Sequence, residues 1–137
     1  FEGYLWDPPA PIRAIRKAKA VARAAGRKVA LTLSDVFCVE GHRDDFLGMM
    51  RDGLVDIAFA NENEAKSLFR TDSIEAAIEG LAAVVPLAVV TRSEKGAIVV
   101  ERAGRVEVPV TPAARVLDTT GAGDLFAAGF LAGHSRG

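Results

Sequence analysis

The sequence predicts an α/β protein built in three layers, with helices on both faces of a mainly parallel central sheet. Three observations predict it. Short apolar runs alternate with stretches of helical periodicity along the chain, the pattern of strand–helix–strand units. Val29–Leu33, Val55–Ala60 and Leu87–Thr91 are runs rich in Val, Ile, Leu and Ala, as strands covered on both faces require. Polar segments fall where strands should end, at Asn61–Glu64, Thr91–Gly96 and Asp118–Asp124, the edge at which such sheets hold ligands.

Taken in order, Phe1–Trp6 reads as a strand closed by Asp7-Pro8-Pro9. Pro11 suits the first turn of a helix, where its missing N–H costs little. Ile12, Ile15, Ala18, Val21, Ala22 and Ala25 then recur at helical spacing, with Arg and Lys on the other side as a solvated face. Gly26 ends that helix as a C-cap. Val29–Leu33 is the next strand, 44–50 a short helix ending near Asp52-Gly53, and Val55–Ala60 a further strand. Glu64–Phe69 is helical, and Ser73–Val85 is a second helical stretch with Ser73 as N-cap. Leu87–Thr91 is a buried strand. Gly96–Val100 and Arg105–Val110 form a hairpin turned at Ala103-Gly104, and a last helix runs through Leu125–Leu131.

The 137 residues suit one domain or part of one, with 50 % hydrophobic and 26 % charged residues, ordinary for a globular protein. A net charge of −1 supplies no basic stripe for nucleic acid, which is not expected as a partner. The single cysteine, Cys38, fits a reducing compartment, and a cytoplasmic location is expected. No apolar run approaches the roughly 20 residues that span a bilayer, so no membrane partner is expected. Phe1–Trp6 resembles a strand already in progress, and the last helix stops soon after it forms. The chain is therefore read as a piece of a longer enzyme, incomplete at both ends.

The most informative segment is Asp118-Thr119-Thr120-Gly121-Ala122-Gly123-Asp124, which lies between an extended stretch and a helix. A small-residue turn that opens a helix leaves backbone N–H groups pointing outward, a site for phosphate. Gly121 and Gly123 let such a group approach the backbone closely, and the N–H groups of Ala122, Gly123 and Asp124 are expected to converge on it. An acid there would repel a merely bound phosphate. It makes sense if it takes a proton beside one, so Asp124 reads as the base of a phosphoryl transfer. The plainer alternative is that Thr120 caps the helix and Asp124 complements its dipole. The turn is neither a Walker loop, since no Gly-Lys-Ser/Thr follows the glycines, nor a dinucleotide fingerprint, since Phe126 takes the place of the third glycine.

Two further segments draw attention. Asn61–Glu64 by itself reads as an Asn cap before an acidic first helical turn. Thr91–Gly96 by itself reads as a turn joining two strands. In the Ser34–Arg43 stretch, Cys38 and His42 invite comparison with a nucleophile pair, but no third orienting group is evident and Cys38 reads as a buried hydrophobe. Trp6 reads as a core residue.

Together these motifs resemble the ribokinase-like (PfkB) family of carbohydrate and nucleoside kinases. Asp118–Phe130 looks like its C-terminal signature, Asn61-Glu62-Asn63-Glu64 matches its Asn-x-x-Glu motif, and Thr91–Gly96 is similar to its nucleotide-contacting Thr-x-Gly-x-x-Gly turn. The resemblance implies a ribokinase-like fold, with residues 1–137 as the nucleotide-binding and catalytic part of one domain. It implies Asp124 as catalytic base, Gly121, Ala122, Gly123 and Asp124 as the anion hole, and Asn61 and Glu64 as organisers of Mg²⁺ through water. Thr91, Ser93 and Gly96 would contact ATP, although Ser93 stands where the family usually has glycine. Asp118 would hold the turn, or bind a monovalent cation such as K⁺.

With Glu2–Asp7, the Ser34–Arg43 stretch resembles the adenosine-kinase-like branch. The implied reaction moves the γ-phosphate of ATP to a primary hydroxyl of a nucleoside or sugar, adenosine first and ribose or fructose next. A non-catalytic nucleotide binder is the alternative from another class. In that family the substrate-binding residues and the lid lie mostly in the N-terminal half, so these 137 residues alone are expected to be a poor kinase. A homodimeric parent is also implied.

Overall fold

The computed structural model describes residues 1–6, 9–111 and 115–137. Five strands lie side by side in chain order: β1 (Ala30–Thr32), β2 (Ile57–Asn61), β3 (Leu87–Thr91), β4 (Ala97–Glu101) and β5 (Gly104–Val108). β1, β2 and β3 are parallel, and β4 and β5 extend the sheet as an antiparallel hairpin, so the sheet is mixed. The register aligns Asn61 with Thr91 and Thr91 with Ala97, which brings the ends of β2 and β3 and the start of β4 to one edge.

Strand alternation divides the core between two faces. Ala58, Ala60, Ala88 and Val90 point into the larger cluster. There they meet side chains of α1 (Pro9–Ala24), α2 (Val36–Arg51), α3 (Glu62–Phe69) and α4 (Ile74–Val84), with Phe46, Leu68 and Leu81 almost wholly buried. Ile57, Phe59, Leu87 and Val89 point to the opposite face, where α5 (Ala122–His134) packs Ala127, Phe130 and Leu131 against them. The ring of Phe130 meets that of Phe59 edge-on at 5.5 Å between centroids. These are the three layers that the alternating pattern predicts.

Several local expectations change. Phe1–Trp6 is not a full strand. Phe1 and Glu2 pair with β1 through a single parallel bridge at Thr32, and Gly3–Trp6 then turn as a short 3-10 segment. The turn brings Gly3 so close to Leu33 that a Cβ would lie 2.5 Å from its carbonyl oxygen. It also seats Trp6 edge-on to Phe46 in the core, as expected for that residue. The Asp7-Pro8 turn lies outside the described residues.

α2 starts well before Asp44: Asp35 caps it by accepting from the Phe37 N–H at 2.6 Å, and non-helical angles at His42 kink it in the middle. Cys38 is buried in the core. In α1 the inward stripe is Ile12, Ile15, Lys19 and Ala22, while Ala18 and Val21 are exposed. The helical period is as predicted, but a lysine occupies an inward position that the sequence assigns to solvent.

Ser73 caps α4 by accepting from the Ala76 N–H at 3.2 Å. Past α1, the left-handed Gly26 (φ 64°) lets the Arg27 N–H return to the Ala22 carbonyl, the expected C-cap.

Candidate active site

The C-terminal ends of the parallel strands open into a cleft of about 480 Å³. β1 contributes Thr32, β2 Asn61 and β3 Thr91, and the turn before α5 closes the far side with Gly121, Ala122, Gly123 and Asp124. Three sequence segments 30 residues or so apart thus meet because parallel strands all end at one edge. A second cleft of about 400 Å³ lies beside it, walled by Ala97, Val108, Pro109 and Val110 and reached by Ser93 and Gly96. Thr91, Ala122, Gly123 and Phe126 border both clefts, so the glycine turn stands between them.

The turn is held by its backbone. Gly121 is the N-cap of α5 at φ 72°, a left-handed conformation that glycine adopts without steric cost, and no side chain among the described residues caps the helix. The Thr120 capping alternative is therefore not what forms. Asp118 instead accepts the Thr120 N–H at 2.8 Å, an Asx turn. That bond, first among the causes, holds the Asp118 carboxyl below its ordinary pKa.

The Ala122 N–H donates to the Thr119 carbonyl at 3.1 Å. It is therefore engaged within the turn rather than offered outward, which corrects the expected three-donor hole. The N–H groups of Gly123 and Asp124 have no acceptor among the described residues. A Cβ built on Gly121 or Gly123 meets no atom within 4 Å, so the backbone faces open space. Two unpaired donors in the first turn of a helix are able to accept an anion. The Asp124 side chain, in the same first turn, is exposed and lines the cleft.

Asn61 and Glu64 form a reciprocal capping box at the start of α3. Glu64 is only 5 % exposed yet lines the cleft. Burial, the leading cause, raises its pKa; the bond from the Asn61 backbone opposes this, and the nearby Asp35 adds to it. The neighbouring Glu62 reaches across to Arg92 at 3.2 Å and pairs with Lys66 at 2.8 Å. Those bonds, Lys66 first, hold its pKa down and tie α3 to the turn that follows β3.

That turn keeps the conformation a glycine would have. Ser93 sits at φ 53° despite its side chain, and Gly96 at φ 85° lies so close to the β5 end that a Cβ would be 2.0 Å from the Val108 carbonyl oxygen. The serine substitution therefore leaves the turn's backbone in the left-handed region. Ser93 and Gly96 line the second cleft, whereas Asp118 lines neither.

No cluster of three or more His, Cys, Asp or Glu among the described residues is arranged to hold a metal. The donor set still suits Mg²⁺, which keeps several waters and needs few protein carboxylates when phosphates are present. Glu64 offers a carboxylate whose charge burial has left short of compensation. Residues not singled out from the sequence as site candidates also line the first cleft, among them Thr32, Tyr4 and Ser34. Ser34 has a positive φ of 69° and its hydroxyl accepts the Gly3 N–H at 2.8 Å, a relationship no local sequence signal carries.

A turn that opens a helix at the carboxyl edge of a sheet, with unpaired N–H groups and an acid in its first turn, stands where α/β proteins commonly hold anionic ligands. The family model for pfkB family carbohydrate kinases matches residues 1–137, and the chain belongs to that family. It is 35 % identical over 133 residues to a cytidine kinase of Thermococcus kodakarensis, covering 93 % of this chain and 46 % of that protein. It superimposes on the crystal structure of adenosine kinase from Sinorhizobium meliloti with a TM-score of 0.98 and 54 % identity, covering 100 % of this chain and 42 % of that one. It also matches a fructokinase from Vibrio cholerae, solved with fructose, ADP and calcium ion bound, with a TM-score of 0.81 and 28 % identity, covering 96 % of this chain and 43 % of that one. The chain thus spans under half the length of these relatives. Among the described residues, no helix is long and apolar enough to cross a membrane.

Proposed function

We propose that the protein transfers the γ-phosphate of ATP to a primary hydroxyl of a nucleoside, adenosine foremost, and that residues 1–137 are the nucleotide-binding and catalytic part of one domain. The observation that carries this is the meeting of the Asp124 carboxylate with the unpaired N–H groups of Gly123 and Asp124 in one cleft. Asp124 accepts the proton of the substrate hydroxyl. The hydroxyl oxygen bonds to the γ-phosphorus as its bond to the β,γ-bridging oxygen breaks, and ADP leaves. The two N–H groups donate to the charge that develops on the transferred group, where one such donor is worth about 3 kcal/mol.

The second cleft, with Ser93, Gly96 and its aliphatic wall, suits the donor nucleotide, and the first suits the acceptor. Glu64, oriented by Asn61, would hold Mg²⁺ through water. The ion would supply charge neutralisation at the phosphates. Asp118 serves the turn through its bond to Thr120 rather than a K⁺ ion.

Adenosine is favoured by the 54 % identity to the Sinorhizobium meliloti adenosine kinase. The likeness to a fructokinase supports a sugar as the second acceptor class. The test is Asp124→Asn in the full-length protein, assayed against nucleosides and sugars with ATP titrated by calorimetry. A fall in kcat of at least about a hundredfold is expected, with ATP affinity kept within a few-fold. Near-normal turnover would sink the base assignment. ATP binding without phosphotransfer to any acceptor in the unmutated protein would favour a pure nucleotide binder.

A further inference from the structure

At the opposite end of the parallel strands from the candidate active site lies a third cleft, of about 250 Å³, bordered by the residues that lead into β1 and β2. Lys19, Arg23, Arg27 and Lys28 bring four cationic side chains to it, against one carboxylate, that of Asp56, among the described residues. That carboxylate already accepts the Val29 N–H at 2.6 Å, and Lys28 reaches the His134 ring at 2.8 Å. Arg23 and Arg27 make no ion pair among the described residues.

Lys19 is the unusual member. It is 4 % exposed, and its Nζ has no hydrogen-bond partner among the described residues. Burial, the leading cause, pushes its pKa down, and Arg16 and Arg23 push it further the same way, while Asp52 acts against them only through space. An unpaired buried ammonium is costly, and a counter-charge held in the cleft would relieve that cost. Gly26 and Gly53, both at φ 64°, border the same cleft and leave open space where side chains would stand. Among the described residues no aromatic ring lines the cleft, so none of them would stack a base there. The guanidinium forks of Arg23 and Arg27 match the oxygens of a doubly charged oxyanion, and the buried Lys19 ammonium adds positive charge beside them.

We propose that the cleft between Lys19, Arg23 and Arg27 is a second anion site, remote from the phosphotransfer cleft, which takes a phosphate-class dianion. By joining α1 to the segments that enter β1 and β2, the bound dianion braces that end of the sheet. Failure of this proposal and failure of the kinase reading are distinguishable, since it is judged by phosphate binding to variants of this cleft and not by turnover.

The experiment titrates inorganic phosphate into the full-length protein by calorimetry, with the phosphotransfer cleft saturated by a non-hydrolysable ATP analogue and Mg²⁺. Saturable binding and a phosphate-dependent rise in Tm are expected. In Lys19→Met, a substitution of similar shape, binding should weaken at least about tenfold while the Tm without phosphate holds or rises. Arg23→Gln with Arg27→Gln changes only exposed side chains and should also weaken binding without unfolding the protein. Ribose 5-phosphate in a parallel titration separates the sources: binding of phosphate alone assigns the free ion, and binding of both assigns a phosphate group, free or esterified. The proposal is overturned if phosphate fails to bind under these conditions. It is equally overturned if both variants bind phosphate like the unmutated protein, or if chloride at matched ionic strength raises Tm as much.

Discussion

Asn61 and Glu64 hold each other through three hydrogen bonds at the mouth of the cleft: Asn61 N–H to Oε2 at 2.9 Å, Asn61 Nδ2 to Oε1 at 2.6 Å, and Glu64 N–H to Oδ1 at 2.9 Å. The box starts α3 at the residue where β2 ends, so strand, helix and buried carboxylate are fixed together. The same bonds that cap the helix aim Glu64, and the cap and the proposed metal-organising role are one arrangement.

A pH dependence follows from the burial of Glu64. Its pKa is raised above the ordinary 4.5, so the folded state binds its proton more tightly than the unfolded chain does. The stability this group contributes is full below pH 4.5 and is lost as pH rises through the folded value. Glu64→Gln keeps a capping-box side chain but does not titrate. Urea unfolding of both proteins from pH 4 to 8 should show the variant gaining stability relative to the unmutated protein as pH rises. A constant difference would mean that the carboxylate is not desolvated.

Gly96→Ala should be severe. A Cβ there would lie 2.0 Å from the Val108 carbonyl oxygen, and φ 85° with ψ −139° is a conformation almost confined to glycine. A loss of at least about 2 kcal/mol is expected by denaturant unfolding. Nucleotide affinity should fall as well, because the residue lies against the end of β5 and lines the second cleft.

Ser93→Gly should do the reverse for stability. A left-handed serine costs about 1–2 kcal/mol, and glycine regains most of it while adding unfolded-state entropy. A net gain of about 0.5–1 kcal/mol in urea unfolding is expected. A loss instead would show that the hydroxyl's contacts outweigh the backbone strain.

Phe130→Ala tests how α5 is held. Its ring contact with Phe59 and the neighbouring Ala127 and Leu131 form the seam between α5 and the sheet. The ring is only partly buried, so a cost of about 2 kcal/mol is expected, below the 3–5 typical of a full core phenylalanine. Hydrogen exchange should speed up in α5 before it does in β2 or β3.

Much of the architecture is legible in the residues. The runs at Val55–Ala60 and Leu87–Thr91 are rich in small and β-branched apolar side chains because both their faces are covered, and that composition survives any detail of packing. Ser73 and Gly26 announce their helix ends because caps act through neighbouring backbone alone. Phe1–Trp6 misleads because its apolar alternation suits a strand equally well. The turn at Gly3 is decided by the contact with Leu33, 30 residues on, and by the seat Phe46 offers Trp6. In α1 the period is in the sequence but the phase is not. Ala18 and Lys19 are adjacent, and only the packing of Ile15 and Ala22 turns the lysine inward.

The sequence by itself determined the order of strands and helices after Trp6 and the motifs at Asn61, Thr91 and Asp118, since these depend on side chains and turns a few residues apart. Tertiary structure alone decided that Asn61 and Thr91 are register partners and that Gly121–Asp124 closes the same cleft. It alone engaged the Ala122 N–H while leaving those of Gly123 and Asp124 open, and it buried Lys19 at the far end of the sheet. Those outcomes depend on contacts between segments distant in the chain, which no local pattern records.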